Sequence, residues 1–445
     1  MKYSKTILTL LLSIPMLNPA LVRGQTQQRD SILAEASLQQ CIIYALKNQP
    51  EVRQSLLDEE IGDRDINIAL SGWLPQVTGT GTYNYNIKRQ TIVFGDQVIT
   101  TGQKHTSVLG GQATQQILNA GLIQASRSAK WYRLQYQQYT ENTRINTVVN
   151  VSKAFYDILT SQEQLNITNE NIARLEKQLK DAYAQYEGGL VDKTDYKRAQ
   201  ISLSNSYADK KRIIELLKSK YSNLKQLMGY PPERELNLSF NNTSMESEVL
   251  LDTTQQLNYQ NRVEYRLLAT QRQLQTINTS YNKLSFLPTL SGFINYNYNY
   301  FSGSLRDLYN NEFPSSVAGL SLNLPIFTGT RRIQEIRRSQ LQERRLDLDL
   351  ENTKNQIYTQ YETALASYKA NLNDWKTASQ NVELSRDVYN TIKLQYNEGI
   401  KTYLELMTAE TDLRTSQINY LNALFSLLTS KLDVQQALGT ITLEQ

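Results

Sequence analysis

Two periods of apolar positions alternate along this chain, and each appears twice in the same order. In residues 76–88, QVTGTGTYNYNIK, Val77, Gly79, Gly81, Tyr83, Tyr85 and Ile87 alternate with Thr78, Thr80, Thr82, Asn84 and Asn86. In residues 289–300, TLSGFINYNYNY, Leu290, Gly292, Ile294, Tyr296, Tyr298 and Tyr300 alternate with Thr289, Ser291, Phe293, Asn295, Asn297 and Asn299. A period of two predicts a strand with two unlike faces. A face of Thr and Asn, without charges or an apolar core, suits the water-filled inside of a barrel. Each strand has a predicted partner, Thr106 to Leu118 and Ser315 to Phe327. The connections Lys88 to His105 and Phe301 to Pro314 hold turn formers and charges.

Beyond each strand pair the period lengthens. Val148, Val151, Phe155, Ile158, Leu165 and Ile172 follow spacings of three and four when Gln162 and Asn169 are counted in the stripe, and Tyr361, Leu365, Tyr368, Leu372, Trp375 and Val382 repeat it 210 residues on. Such a stripe predicts a coiled-coil core. Past residue 24 the prolines are Pro50, Pro75, Pro231, Pro232, Pro288, Pro314 and Pro325, so Asn119 to Tyr230 and Thr328 to Gln445 contain none and are free to form very long helices. Gly121 to Tyr186 would span about 100 Å at ~1.5 Å per residue. Each interval is broken once by a Tyr-x-x-Gly turn. The run from Tyr186 to Gly229 and the run from Tyr396 to Gly439 are one design at the same shift of 210, so each predicts a helix reversal at its glycine.

Short helices are predicted ahead of the strands, at Leu38 to Ser71 and Gln256 to Ser285, where Asn48-Gln49-Pro50-Glu51 matches Asn261-Arg262-Val263-Glu264 at a shift of 213. Each half therefore reads helix, strand, loop, strand, long helix, turn, helix, with a polar linker from Pro231-Pro232 to Leu251 between them. The predicted organisation is a leader at 1–24, a first repeat at 25–247 (strands about 73–94 and 106–118, tip turn 186–195) and a second at 248–445 (strands about 286–301 and 315–327, tip turn 396–405). Four strands cannot close a barrel, and open edges cannot face lipid, so a membrane reading requires closure with other chains.

Composition narrows the class. A net charge of +4 with 20% charged residues excludes a basic nucleic-acid binder. Tyrosine dominates the aromatics, 28 against 9 Phe, as suits positions with one apolar and one wet side. Lys2 and Lys5 followed by the apolar run Ile7 to Leu17 and by Val22-Arg23-Gly24 predict a secretory signal cut after Gly24, the run being shorter than the ~20 residues a spanning helix needs. Cys41 lacks a lipidation pattern and is read as a half-buried helix residue. One histidine, His105, in a predicted loop, with no Cys/His ligand spacing, phosphate-cradling glycine loop or nucleophile elbow, argues against an enzyme, and no cofactor or metal is expected.

Leu-Pro at the entry to each first strand, Gly121 and Gly329 at the strand-to-helix junctions, the two Tyr-x-x-Gly tips and the Ala-Leu-Gly-Thr ending at 437–440 occur in a duplicated order that resembles the outer-membrane efflux protein family, the TolC-like channels. The resemblance implies a mainly α protein with a membrane β-barrel. Its duplicated strand hairpin plus long helical hairpin would form a homotrimer with a shared twelve-strand barrel, continued by a periplasmic α-helical coiled-coil barrel. It implies an outer-membrane location spanning into the periplasm, contact with outer-membrane lipid, and passive conduction. Energy would come from an inner-membrane transporter joined through a periplasmic adaptor protein. It places a carboxylate constriction at Glu405, with Thr408 where relatives have a further acid, and gate tethers at Tyr396 and Lys401 facing Thr194 and Asp195. Adaptor-docking turns fall at Gly188, Gly189 and Leu190 and at Glu398, Gly399 and Ile400. Type I protein secretion uses the same architecture. A secreted coiled-coil structural protein would account for the helices but not for the paired Tyr-rich strands.

Overall fold

The computed structural model describes residues 35–189, 192–239 and 249–442, so the predicted signal at 1–24 and Leu190 lie outside the described residues. In chain order the elements are α1 (Leu38–Asn48), α2 (Pro50–Leu70), β1 (Gln76–Tyr85), β2 (Thr91–Phe94), β3 (Gln97–Thr100), β4 (His105–Leu118), α3 (Ala120–Glu187) and α4 (Lys193–Met228). The second half supplies α5 (Val263–Leu284), β5 (Thr289–Ser302), β6 (Phe313–Asn323), α6 (Arg331–Asn397) and α7 (Tyr403–Leu438).

The duplicated plan is present, with five departures. The first predicted helix divides at Gln49, whose ψ of 126° is extended because Pro50 follows, and Pro50 then takes the first position of α2. The first strand begins at Gln76 rather than near 73, after a 3₁₀ turn at Ser71–Trp73 and a proline that cannot donate to the ladder, and it ends at Tyr85 rather than near 94. Beyond it, the predicted loop contains a hairpin, β2 with β3, turning at Gly95 with φ +62°. The run Thr-Ile-Val-Phe, Gly-Asp, Gln-Val-Ile-Thr carries that signal in its β-branched residues and two-residue turn. His105 opens β4 opposite Tyr85 instead of lying in a loop, and its Nδ1 is 2.8 Å from the Tyr83 hydroxyl. Likewise β6 runs from Phe313 to Asn323 rather than from 315 to 327, because Leu324 precedes Pro325; Pro314 is accommodated near its start since β6 is an edge strand.

The main sheet is antiparallel in the order β1-β4-β5-β6, so the two halves meet at β4 and β5 while β1 and β6 have free edges. Below it, α2 packs on α3, α3 on α5 and α5 on α6, in the same order as the strands to which they connect. Farther down, α4 packs on α3, α7 packs on α6, and α7 also meets α3. Val148, Val151, Phe155, Ile158 and Ile172 of the predicted seam are buried, and Leu165 packs at the margin of the same core. Of the copied stripe only Tyr368 is fully buried; its hydroxyl donates to the Val249 carbonyl and accepts from Leu251 N–H, each at 3.0 Å, fixing the inter-repeat linker to the core.

Both halves close in one way. Gly229 ends α4 at φ +67° and Gly439 ends α7 at φ +70°. A Cβ at Gly229 would stand 2.7 Å from the Asn48 carbonyl oxygen, and one at Gly439 would stand 2.6 Å from that of Asn261. Only glycine allows both the left-handed turn and this approach. Because Asn48 and Asn261 are themselves repeat partners, each returning helix docks on the start of its own half.

Candidate gate at the hairpin tips

The second hairpin turns where α6 ends. Gly399 takes φ +72° while its N–H donates to the Tyr396 carbonyl at 3.0 Å and the Ile400 N–H to that of Gln395 at 2.9 Å. Thr402 then starts α7 with a capping box: its hydroxyl accepts from Glu405 N–H at 3.3 Å, and Glu405 Oε2 accepts from Thr402 N–H at 2.9 Å. The first hairpin turns at Gly188-Gly189, with Gly189 at φ +69°, and Asp192 caps α4 by accepting from Thr194 N–H at 3.0 Å. A Cβ added at Gly189 or Gly399 would meet nothing within 4 Å. Both turns are therefore constrained by backbone conformation alone, and their outer surfaces are open. Glu398 caps α6, and Ile400 beside it is 70% exposed.

Within the protomer Glu405 is not a bare carboxylate. Lys401 Nζ lies 2.6 Å from its Oε1, and this hydrogen bond, with those from Thr402, holds its carboxyl at about 2. Lys401 consequently does not reach Thr194 or Asp195: its ammonium is taken by a carboxylate one turn away, on its own hairpin. Thr408 is exposed and returns its hydroxyl to the Leu404 carbonyl at 2.9 Å. Tyr396 does cross between hairpins, its hydroxyl donating to Gln185 Oε1 at 3.3 Å. Burial, followed by the charges of Asp195 and Asp181, raises the Tyr396 pKa. Asp195 thus faces Tyr396 electrostatically, without a direct hydrogen bond.

The closest-knit link between hairpins lies about two to four turns above the tip, among residues that sequence patterning did not single out. Glu410, 4% exposed, accepts from Arg174 Nε at 3.0 Å and from Gln178 Nε2 at 2.7 Å. The Arg174 guanidinium also stands 5.9 Å from the centre of the buried Tyr389 ring. Arg414 on α7 pairs with Asp209 on α4. Burial, then the Glu410 charge, raises both Tyr389 and Tyr403. Among the described residues, eleven buried side-chain polar atoms lack a protein hydrogen-bond partner, and Asn171, Arg174, Gln178, Tyr403, Arg414 and Gln417 on this seam hold six of them. The seam is therefore polar and incompletely paired, whereas a fully satisfied buried network would hold its two faces rigidly. The available signal was Glu410 itself, an acid interrupting the apolar positions Leu406, Ala409 and Leu413.

The protomer is thus a four-stranded open sheet carried on helical hairpins of about 100 Å. Residues 42–230 and 267–440 match the family described as Outer membrane efflux protein, and the chain belongs to that family. It is 23% identical over 454 residues to the outer membrane protein TolC of Escherichia coli, covering 95% of this chain and 86% of that one. It is also 24% identical over 440 residues to the outer membrane efflux protein BepC of Brucella suis, covering 96% and 90%. Among solved structures, the outer membrane protein VceC of Vibrio cholerae shares the fold with a TM-score of 0.74 at 15% identity, over 90% of this chain and 96% of that one. The family comprises channels rather than enzymes, exit routes of efflux pumps in the outer membrane that extend into the periplasm.

Proposed function

We propose that three copies of this chain close one twelve-strand barrel and one helical barrel, forming the passive outer segment of a tripartite efflux pump. An inner-membrane transporter supplies the energy, and a periplasmic adaptor docks on the turns at Gly188-Gly189-Leu190 and Glu398-Gly399-Ile400. The observation that carries this reading is the pair of free edges, β1 and β6, on a sheet whose flanks expose apolar residues such as Val77 at 75% and Leu320 at 71%. Unpaired backbone cannot face lipid, so β6 of one copy must pair with β1 of the next. Among the described residues no helix is long and apolar enough to cross a membrane, which leaves the crossing to the sheet.

At the tip, three-fold symmetry brings three Glu405 carboxylates toward the axis, each ion-paired with its own Lys401, with Thr408 one turn above. Opening moves the α6-α7 hairpin past α3-α4 and releases Tyr396 from Gln185 and the region of Thr194 and Asp195. The purified channel is expected to be a trimer by native mass measurement in detergent, with low conductance in planar bilayers. Lys401→Ser should raise cation selectivity by uncovering the ring, and Glu405→Ala should lower it. A monomer in mild detergent, or selectivity indifferent to both substitutions, would overturn the reading.

A further inference from the structure

The protomer contains its own template for the contact between copies. Its halves meet where α3 runs antiparallel to α5: Glu141 is ion-paired with Arg266, Gln124 Nε2 donates to Asn278 Oδ1 at 3.3 Å, and Gln138 and Thr270 are buried along the same stretch. By the repeat, α6 is the copy of α3, displaced by 210, and α2 is the copy of α5, displaced by 213. In the protomer α6 and α2 are the outermost elements of the helical row, each lacking a neighbour on its outer side. The positions corresponding to the internal contact are then Glu351 for Glu141, Arg53 for Arg266, Leu348 for Gln138 and Leu57 for Thr270.

These positions are complementary. Leu348 is 65% exposed and Leu57 is 56% exposed, where the internal copies Gln138 and Thr270 are 4% and 3% exposed. Glu351 and Arg53 are exposed and, among the described residues, make no ion pair, and the same holds for Arg337 and Asp65, which this register brings together about three to four turns nearer the sheet. The sign of the internal bridge is preserved, with the acid on the long helix and the base on the short one. The apolar centre is larger than its internal counterpart, as suits an interface between chains.

We infer that α6 of one copy docks on α2 of the next in the register that α3 keeps with α5, with Leu348 over Leu57 of the neighbouring copy and flanking ion pairs Glu351 to Arg53 and Arg337 to Asp65. The seam rests on the trimer reading and gives that assembly a specific register. In a Cys41→Ser background, Leu57→Cys with Leu348→Cys should oxidise to covalent dimers and trimers on denaturing gels. Leu57→Cys with Leu341→Cys, about 10 Å out of register, should remain monomeric. Arg53→Glu should lower the temperature at which the trimer dissociates, and adding Glu351→Arg should restore it. A native trimer in which the in-register pair fails to cross-link, or cross-links no better than the shifted pair, overturns the register while leaving the trimer standing. A native monomer overturns the oligomer and this seam with it.

Discussion

Helices α3 and α6 are copies of each other, 68 and 67 residues long, yet α3 buries 19 residues in the protomer and α6 buries only Ser339, Ile357, Tyr368 and Tyr389. The difference lies in position. α3 is flanked by α2 and α5 near the sheet and by α4 and α7 below, whereas α6 is flanked by α5 and α7 on one side only. A heptad stripe states which face of a helix wants cover; it does not state which chain supplies it. The exposed flank of α6 is therefore read as an interface, not as a solvated surface.

The largest test of this contrast is a pair of truncations at corresponding positions. Phe155→Ala, at a site 4% exposed, should cost about 3–5 kcal/mol in denaturant unfolding, while Leu365→Ala, its half-buried copy, should cost about 1 kcal/mol. Equal losses would mean that Leu365 is covered as fully as Phe155 in the folded protein. Next come Glu410 and its copy Gln200, which is exposed. Glu410→Ala strands Arg174 and Gln178 and should cost about 1.5–3 kcal/mol while raising bilayer conductance, whereas Gln200→Ala should stay within about 0.5 kcal/mol of the parent.

The two turns should break the asymmetry. Gly189→Ala and Gly399→Ala each force a Cβ into a left-handed conformation with no steric neighbour, so both should cost about 1–2 kcal/mol and by similar amounts. Differential scanning calorimetry of the two variants would compare them directly. If the turns dock an adaptor, the larger change Gly399→Val should abolish efflux at normal protein levels. The smallest effect is at Glu405. Its carboxyl is held near 2 against an ordinary 4.5, so its stabilising hydrogen bonds to Lys401 and Thr402 are complete above about pH 4.5 and are lost as pH falls toward 2. A pH series comparing Glu405→Gln with the parent should show the stability difference shrinking over that window, and a constant difference would remove Glu405 from the tip's charge balance.

Much of this architecture was legible in the chain. Alternation marked the four sheet strands, proline-free intervals marked the long hairpins, and the copied Tyr-x-x-Gly and Leu/Met-Gly punctuation marked where each reverses and ends, because these are local steric and solvation rules that a short window contains. Strand ends were less legible: Pro75 and Pro325 trim the ladder, and the β2-β3 hairpin was hidden within a stretch read for its charges. At the tip, Lys401 and Glu405 stand four residues apart, so their pairing was within reach of helix geometry alone. What only the tertiary structure decided is the meeting of residues far apart in sequence. Glu410 with Arg174 and Gln178, Tyr396 with Gln185, and Gly439 against Asn261 depend on how four helices are offset along one another. No single helix encodes that offset, because it follows from the strand order and from where each Gly-ended helix stops.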